Sequence, residues 1–270
     1  MGIILGVDIG GSTTKIVGTN DKKCIGMLQV RAADQVTSMY GAIGKFLRSY
    51  NYMPADVEAV YLTGVGASFI DEQIYGIKTI KVNEFEAIGR GALALTGLSQ
   101  ALVVSMGTGT AFVRSCNSDG VVHIGGTGIG GGTIIGLASQ MLGKSDVDAV
   151  IALANKGSLK NVDLTVGDIL GKELKSLPSH LTASNFGKIE STVSEQDIAV
   201  GILNMVFETV GMMAVLTLKN DTLRDVIVTG TLATFAHAET VFKKFSELTG
   251  YNFIIPQDAV FATAMGAVYL

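Results

Sequence analysis

Near the start of the chain, Asp8-Ile-Gly-Gly-Ser-Thr-Thr-Lys15 places an acid at the end of an apolar run, followed by two glycines, hydroxyls and a lysine. Each of these residue types suits a phosphate. Gly10 and Gly11 lack a Cβ and let backbone N–H groups approach an anion, Ser12 and Thr13 add donors, and Lys15 supplies a point charge. Asp8 can hold Mg2+ directly or through water. The ordinary alternative is a Gly-Gly hairpin with an aspartate at the core edge. A second string of the same form, Ser105-Met-Gly-Thr-Gly-Thr110, offers Gly107, Thr108, Gly109 and Thr110 as the facing half of a clamp. Two such turns can hold the β- and γ-phosphates of a nucleotide without a Walker lysine loop.

Two further groups of residues could join that site. The run Gly125-Gly-Thr-Gly-Ile-Gly-Gly-Gly132 precedes an apolar helix, so the N–H groups of Gly128, Gly130, Gly131 and Gly132, with the helix dipole, could face an anion. Tight packing is the competing explanation. No Gly-x-x-x-x-Gly-Lys-Ser/Thr occurs, and the glycine run does not open a strand-first βαβ unit with a following acid, so the P-loop and Rossmann readings fail. Asn83-Glu-Phe-Glu-Ala87 sets two carboxylates at a helix start, where one could take the proton from an attacking hydroxyl. Glu84 and Glu86 are two residues apart and point to different faces. Dipole stabilisation is the plain explanation of an acid in a first turn.

The elements that must carry these groups follow from periodicity. Ile3 to Ile9 and Thr13 to Thr19 read as a hairpin with Cys24 to Val30 as a third strand; Ser38 to Tyr50 reads as a helix, and Val57 to Leu62 as a buried strand ending at Thr63-Gly64-Val65-Gly66. Asn83 caps a helix to about Leu98. The pattern then restarts with Leu102 to Met106, Thr110 to Arg114 and Val121 to Gly125. Setting Gly10 over Gly107 superimposes the two openings, an internal duplication at an offset of 97 residues. Helices are expected over Gly130 to Leu142, Val147 to Asn155, Glu195 to Leu218, Leu232 to Leu248 and Phe261 to Tyr269, with strands at Val226 to Thr229 and Asn252 to Ile255. Strands interleaved with helices predict an α/β protein with mixed sheets covered by helices, divided into an N-terminal lobe of residues 1–98 and a C-terminal lobe of 99–270.

Composition narrows the partners. A net charge of −4 over 270 residues offers no basic stripe for nucleic acid. The N-terminal residues lack the charged n-region of a signal peptide, and no apolar run approaches the ~20 residues that span a bilayer, so a cytoplasmic protein with no membrane partner is expected. Cys24 and Cys116 stand outside any Cys-x-x-Cys spacing and support neither a disulfide framework nor a zinc site.

Taken in order, Asp8 to Lys15, Asn83 to Ala87, Gly107 to Thr110, Gly125 to Gly132, Leu181-Thr-Ala-Ser-Asn-Phe-Gly187 and Phe261-Ala-Thr-Ala-Met-Gly-Ala-Val-Tyr-Leu270 resemble the type II pantothenate kinases over nearly the whole chain. That resemblance implies a two-lobed actin-like fold, a duplicated ribonuclease H-like architecture of the acetate and sugar kinase kind. It also implies a homodimer through long C-lobe helices, and Mg2+- and ATP-dependent phosphorylation of pantothenate, the first step to coenzyme A. By position it makes Glu84 the general base, and Gly10, Gly11, Ser12 and Lys15 the phosphate-binding turn. Thr229-Gly-Thr-Leu232, with Gly230, falls where superfamily members hold the adenosine; a plain strand-to-helix turn is the alternative.

Two positions depart from the family pattern. His123 stands where relatives carry an arginine, and Ala111 where they commonly offer serine, both on the acceptor side of the site. A kinase for a related hydroxyl compound is therefore a second reading. A nucleotide-switched activator of a dehydratase-type partner is a third, and a non-catalytic ATP-binding regulator, against which Glu84 speaks, is a fourth.

Overall fold

The computed structural model describes residues 2–32, 34–71, 73–171, 178–189 and 192–269. Branched apolar residues build the first strands. β1 (Ile3–Ile9) is buried at nearly every position, β2 (Thr13–Asn20) returns antiparallel to it, and β3 (Lys23–Arg31) forms the outer strand. Helix α1 (Gln35–Ser49), capped by Asp34, lays Met39, Ile43 and Phe46 on this meander. β4 (Val57–Thr63) and the short β5 (Thr79–Lys81) then join parallel, giving the order β3-β2-β1-β4-β5.

After α2 (Glu84–Thr96), the plan is repeated. β6 (Gln100–Met106), β7 (Thr110–Cys116) and β8 (Gly120–Thr127) form the second meander. Then come α3 (Gly131–Leu142), α4 (Val147–Ala154), β9 (Leu164–Thr165), α5 (Val166–Leu170), β10 (Thr182–Ser184) and α6 (Glu195–Leu218). β11 (Asp225–Thr229), α7 (Ala236–Thr249), β12 (Asn252–Ile254) and α8 (Ala262–Val268) finish the chain. The second sheet runs β12-β11-β6-β7-β8, the first sheet's order with β6, β7, β8, β11 and β12 in place of β1 to β5. The duplication expected from the glycine turns is thus a duplication of whole sheets.

The helices that follow the two sheets are exchanged. Ile88, Ala92 and Leu93 of α2 are buried against Val103, Val113 and Ile227 of the second sheet, while Ala264 and Met265 of α8 cover Val17 of the first. Where α2 and α8 cross, no side chain separates them. A Cβ on Gly91 would collide with the Ala262 carbonyl oxygen, and one on Gly266 with that of Ala87.

Three details differ from the expectations. β5, β9, α5 and β10 are too short for periodicity to announce. The helix expected from Leu232 starts at Ala236, because Thr231–Thr234 form a 3-10 turn and Phe235 is extended. The one described helix with the length and composition of a membrane span is α6, which corrects the expectation that no such run exists. Ile202, Leu203, Val206, Phe207 and Val210 on α6 are nevertheless buried in the second core, so its apolar character is spent largely on packing within the fold.

Candidate functional site

The site lies where β1 and β6 end. β1 and β2 place Asp8 opposite Lys15, and Lys15 Nζ lies 3.3 Å from Asp8 Oδ2, with each residue only 8% exposed. Gly10 N–H donates to the Thr13 carbonyl at 3.1 Å and closes the first turn, leaving Gly11 and Ser12 exposed. On the parallel side Asp8 is paired in register with Thr63, whose buried Oγ1 has no partner among the described residues.

Glu84 reaches the same place from α2. The Asn83 side chain accepts from the N–H groups of Phe85 (3.0 Å) and Glu86 (3.1 Å), which fixes the helix start and makes Glu84 its first residue. Burial pushes the Glu84 carboxyl above the ordinary glutamate range; the nearby Asp8 carboxylate adds to that, and Lys15 opposes it. Glu86 points elsewhere and accepts from Arg90 Nε at 3.0 Å. The two acids thus separate as their spacing predicted.

The second turn is held from behind. Gly107 N–H donates to the Gly109 carbonyl at 2.9 Å, and the N–H groups of Gly131 and Gly132 donate to the carbonyls of Gly107 and Thr108, both at 2.9 Å. Gly130 N–H donates to Thr133 Oγ1, which donates to the Gly128 carbonyl, and Thr110 Oγ1 donates to the Ile129 carbonyl at 2.8 Å. This corrects the expectation that the amides of Gly130, Gly131 and Gly132 face an anion. The helix start they form is stacked directly under the turn, so its donors meet the turn's carbonyls first.

The two turns face each other. A Cβ built on Gly11 would lie 3.5 Å from Thr108 Oγ1, so the first turn approaches the second to within the reach of one added methyl group. The charges, however, belong to one half. Asp8 pairs with Lys15 in the first hairpin, and the matching register pair in the second is Ser105 with Ala111, because the second turn is one residue shorter.

One repeat escaped the sequence reading. Thr63-Gly-Val-Gly-Ala-Ser-Phe69 and Thr229-Gly-Thr-Leu-Ala-Thr-Phe235 share Thr-Gly-x-x-Ala-Ser/Thr-Phe, and each ends a parallel strand and turns into a 3-10 helix. Gly64 (φ 84°) and Gly230 (φ 89°) both occupy backbone open mainly to glycine. A Cβ on Gly64 would crowd Asp8 Oδ1 at 2.6 Å, and one on Gly230 the Met106 carbonyl at 2.5 Å. These turns therefore seat the ends of β1 and β6. Comparing the two Thr-Gly strings would have found them.

His123 lies on the outer strand β8, and its ring stacks on Phe85 with centroids 3.8 Å apart. Ala111 lies on the neighbouring β7, packed with Phe85 against the α2 side of the sheet. Arg31, the register partner of Thr13, bridges to the start of α4 through Asp148 (2.9 Å) and Asp146 (3.7 Å). All three side chains are exposed, so the pair is screened and worth under about 1 kcal/mol. Arg31→Glu is expected to raise a nucleotide Kd about two- to threefold in low salt and to have no effect near 0.5 M salt, read by calorimetric titration.

The duplicated sheets with facing turns define the class: a two-lobed, actin-like α/β fold, as the sequence led one to expect. The solved activator of 2-hydroxyisocaproyl-CoA dehydratase from Clostridium difficile, with bound ADPNP, shares it at a TM-score of 0.71 and 14% identity, covering 98% of this chain and 92% of that one. A ROK family glucokinase from Streptomyces griseus, in complex with glucose and AMPPNP, shares it at 0.60 and 18% identity, covering 98% of both chains. A family model described as Fumble matches residues 97–251, and the chain belongs to that family. Type II pantothenate kinases from Bacillus cereus (strain G9842) and Oceanobacillus iheyensis are 29% and 27% identical to it, with 98% of this chain covered and 97% and 98% of theirs. The likeness to type II pantothenate kinases read from the motifs is borne out.

Proposed function

We propose that this chain is an ATP-dependent kinase that phosphorylates the primary hydroxyl of pantothenate, the first step of coenzyme A biosynthesis. The observation that carries this reading is the partly buried Glu84 carboxylate beside the Asp8–Lys15 pair, at the place where the Gly10–Ser12 and Gly107–Gly109 turns meet. The relatives named as type II pantothenate kinases support the acceptor.

In this reading the turns position the β- and γ-phosphates, with Gly10, Gly11, Ser12, Thr13 and Lys15 on one side and Gly107, Thr108, Gly109 and Thr110 on the other. Gly230 closes the adenosine end. Glu84 accepts the proton as the acceptor oxygen attacks the γ-phosphorus in line; the bond to the β,γ-bridging oxygen breaks, and ADP leaves. The raised affinity of Glu84 for a proton suits a base that must take one near neutral pH. His123 and Ala111 line the acceptor side.

Mg2+ fits this arrangement as a companion of the nucleotide. No cluster of three or more ligating side chains exists among the described residues, which agrees with an ion held by one carboxylate and the substrate phosphates. Asp8 would hold it, and the ion would neutralise charge on the transferring phosphoryl group. We further propose lobes divided near residue 98, a cytoplasmic location and a homodimer, the last supported by exposed Met212 and Leu216 on α6.

The first test is a coupled ADP-release assay with pantothenate, pantetheine and several sugars. Turnover confined to sugars, or none with any acceptor, would overturn the reading. Lys15→Ala is expected to weaken ATP binding at least about tenfold and to lower stability by about 3 kcal/mol, because the buried Asp8 carboxylate loses its partner. Asp8→Asn with Lys15→Met should regain the stability and not the affinity. An unchanged ATP Kd in Lys15→Ala would count against the first turn as a phosphate site.

A further inference from the structure

The site described so far assigns no role to Phe85, which sits between the two acids at the start of α2. Its backbone N–H is held by the Asn83 cap, so its place next to Glu84 is fixed by the helix start. Its ring bridges two elements. On one side it packs with the buried group of Ile88, Val103 and Val113; on the other its face lies against His123 at 3.8 Å with the ring planes 10° apart.

His123 needs such a support. It lies on β8, the edge strand of the second sheet, where it is exposed together with its neighbours Val122 and Ile124. Among the described residues no hydrogen bond or ion pair holds its ring, which rests on the Phe85 face. An exposed imidazole on an edge strand would otherwise sample several rotamers, and each would present its nitrogens differently. Stacking on a ring anchored in the core removes that freedom and leaves the imidazole edge available to a ligand.

We propose that Phe85 is a positioning residue for the acceptor: by stacking on His123 it fixes the imidazole in one orientation, so that the base and the acceptor-binding edge are both set by one helix start. This rests on the kinase reading above. It joins proton acceptance and acceptor recognition, because Glu84 and Phe85 are consecutive on the same capped turn. The nucleotide turns lie on other elements and are not involved.

The experiment combines steady-state kinetics with NMR of the imidazole protons. In the wild type the His123 ring protons should be shifted upfield by the Phe85 ring current, a readout that needs no activity. Phe85→Leu, which keeps the apolar packing, should abolish that shift and raise the KM for pantothenate about three- to tenfold, leaving kcat and the ATP Kd within about twofold. Phe85→Trp should restore both the shift and the KM. His123→Ala should match Phe85→Leu, and the double variant should be no worse than either single one. An unchanged KM in Phe85→Leu, additive single effects, or a loss of ATP affinity would each overturn the proposal. Wild-type protein that shows the ring-current shift but turns over no pantothenate would instead sink the kinase reading, and the acceptor role of Phe85 with it.

Discussion

Glu84→Gln is expected to bind ATP with unchanged affinity and to transfer phosphate about 10²- to 10⁴-fold more slowly than the wild type, the range over which a positioned general base contributes. The amide keeps the size and the capped helix start but cannot accept the acceptor's proton. Single-turnover kinetics with measured ATP binding separate the two effects, and unaltered turnover would remove the assignment. The pH dependence has a definite sign. The base must be ionised to work, and burial with the Asp8 carboxylate raises its proton affinity, so activity should fall as pH drops through a midpoint above the ordinary glutamate value of 4.5. Stability runs the other way. A carboxyl with a raised folded pKa favours the folded state below its unfolded value and loses that contribution as pH rises through the folded one. Glu84→Gln should therefore have a Tm at or above the wild type at pH 8, and the difference should shrink toward pH 4. A glutamine variant less stable than the wild type at pH 8 would contradict the burial that makes Glu84 a base.

The second large effect concerns folding. Gly266→Val places two methyl groups against the Ala87 carbonyl, at a crossing where even a Cβ collides with backbone. Overpacking of this kind costs about 3 kcal/mol, or roughly a 10 °C fall in Tm for a chain of this size. The mirror substitution Gly91→Val should cost a similar amount, since the contact is nearly reciprocal. Gly41→Ala on α1 supplies the control, because a Cβ there meets nothing within 4 Å. Thermal melts of the three variants check this, and a Gly266→Val melt within 2 °C of the wild type would show that α2 and α8 can part without cost.

How much of this was legible beforehand differs by residue. The two hairpins were, because strand patterning and turn glycines both act over a few neighbours. Glu84 was separable from Glu86 by spacing alone, yet its raised proton affinity depends on Asp8 and Lys15, which lie far away in the chain. The glycine run was read as an anion site from composition. Its donors turned out to be engaged by the carbonyls of Gly107 and Thr108, a long-range stacking that no local pattern reveals. The Thr-Gly strings at Thr63 and Thr229 were visible but uncompared. β5, β9 and β10 are of two or three residues each and take their form from their partners. The stack of Phe85 on His123 joins a helix to an edge strand and could be known only from coordinates.

The exchange of α2 and α8 bears on how the chain comes off the ribosome. The strands that carry Asp8 and Lys15 are made long before the helix that covers their far face; Tyr269 Oη donates to the Lys22 carbonyl across 247 residues. Until then Val17 has no cover from Ala264 and Met265. The nascent N-terminal half must wait with a bare apolar surface, and a message cut short just before the codon for Ala262 would yield a polypeptide with every phosphate-binding residue present and its first sheet uncovered.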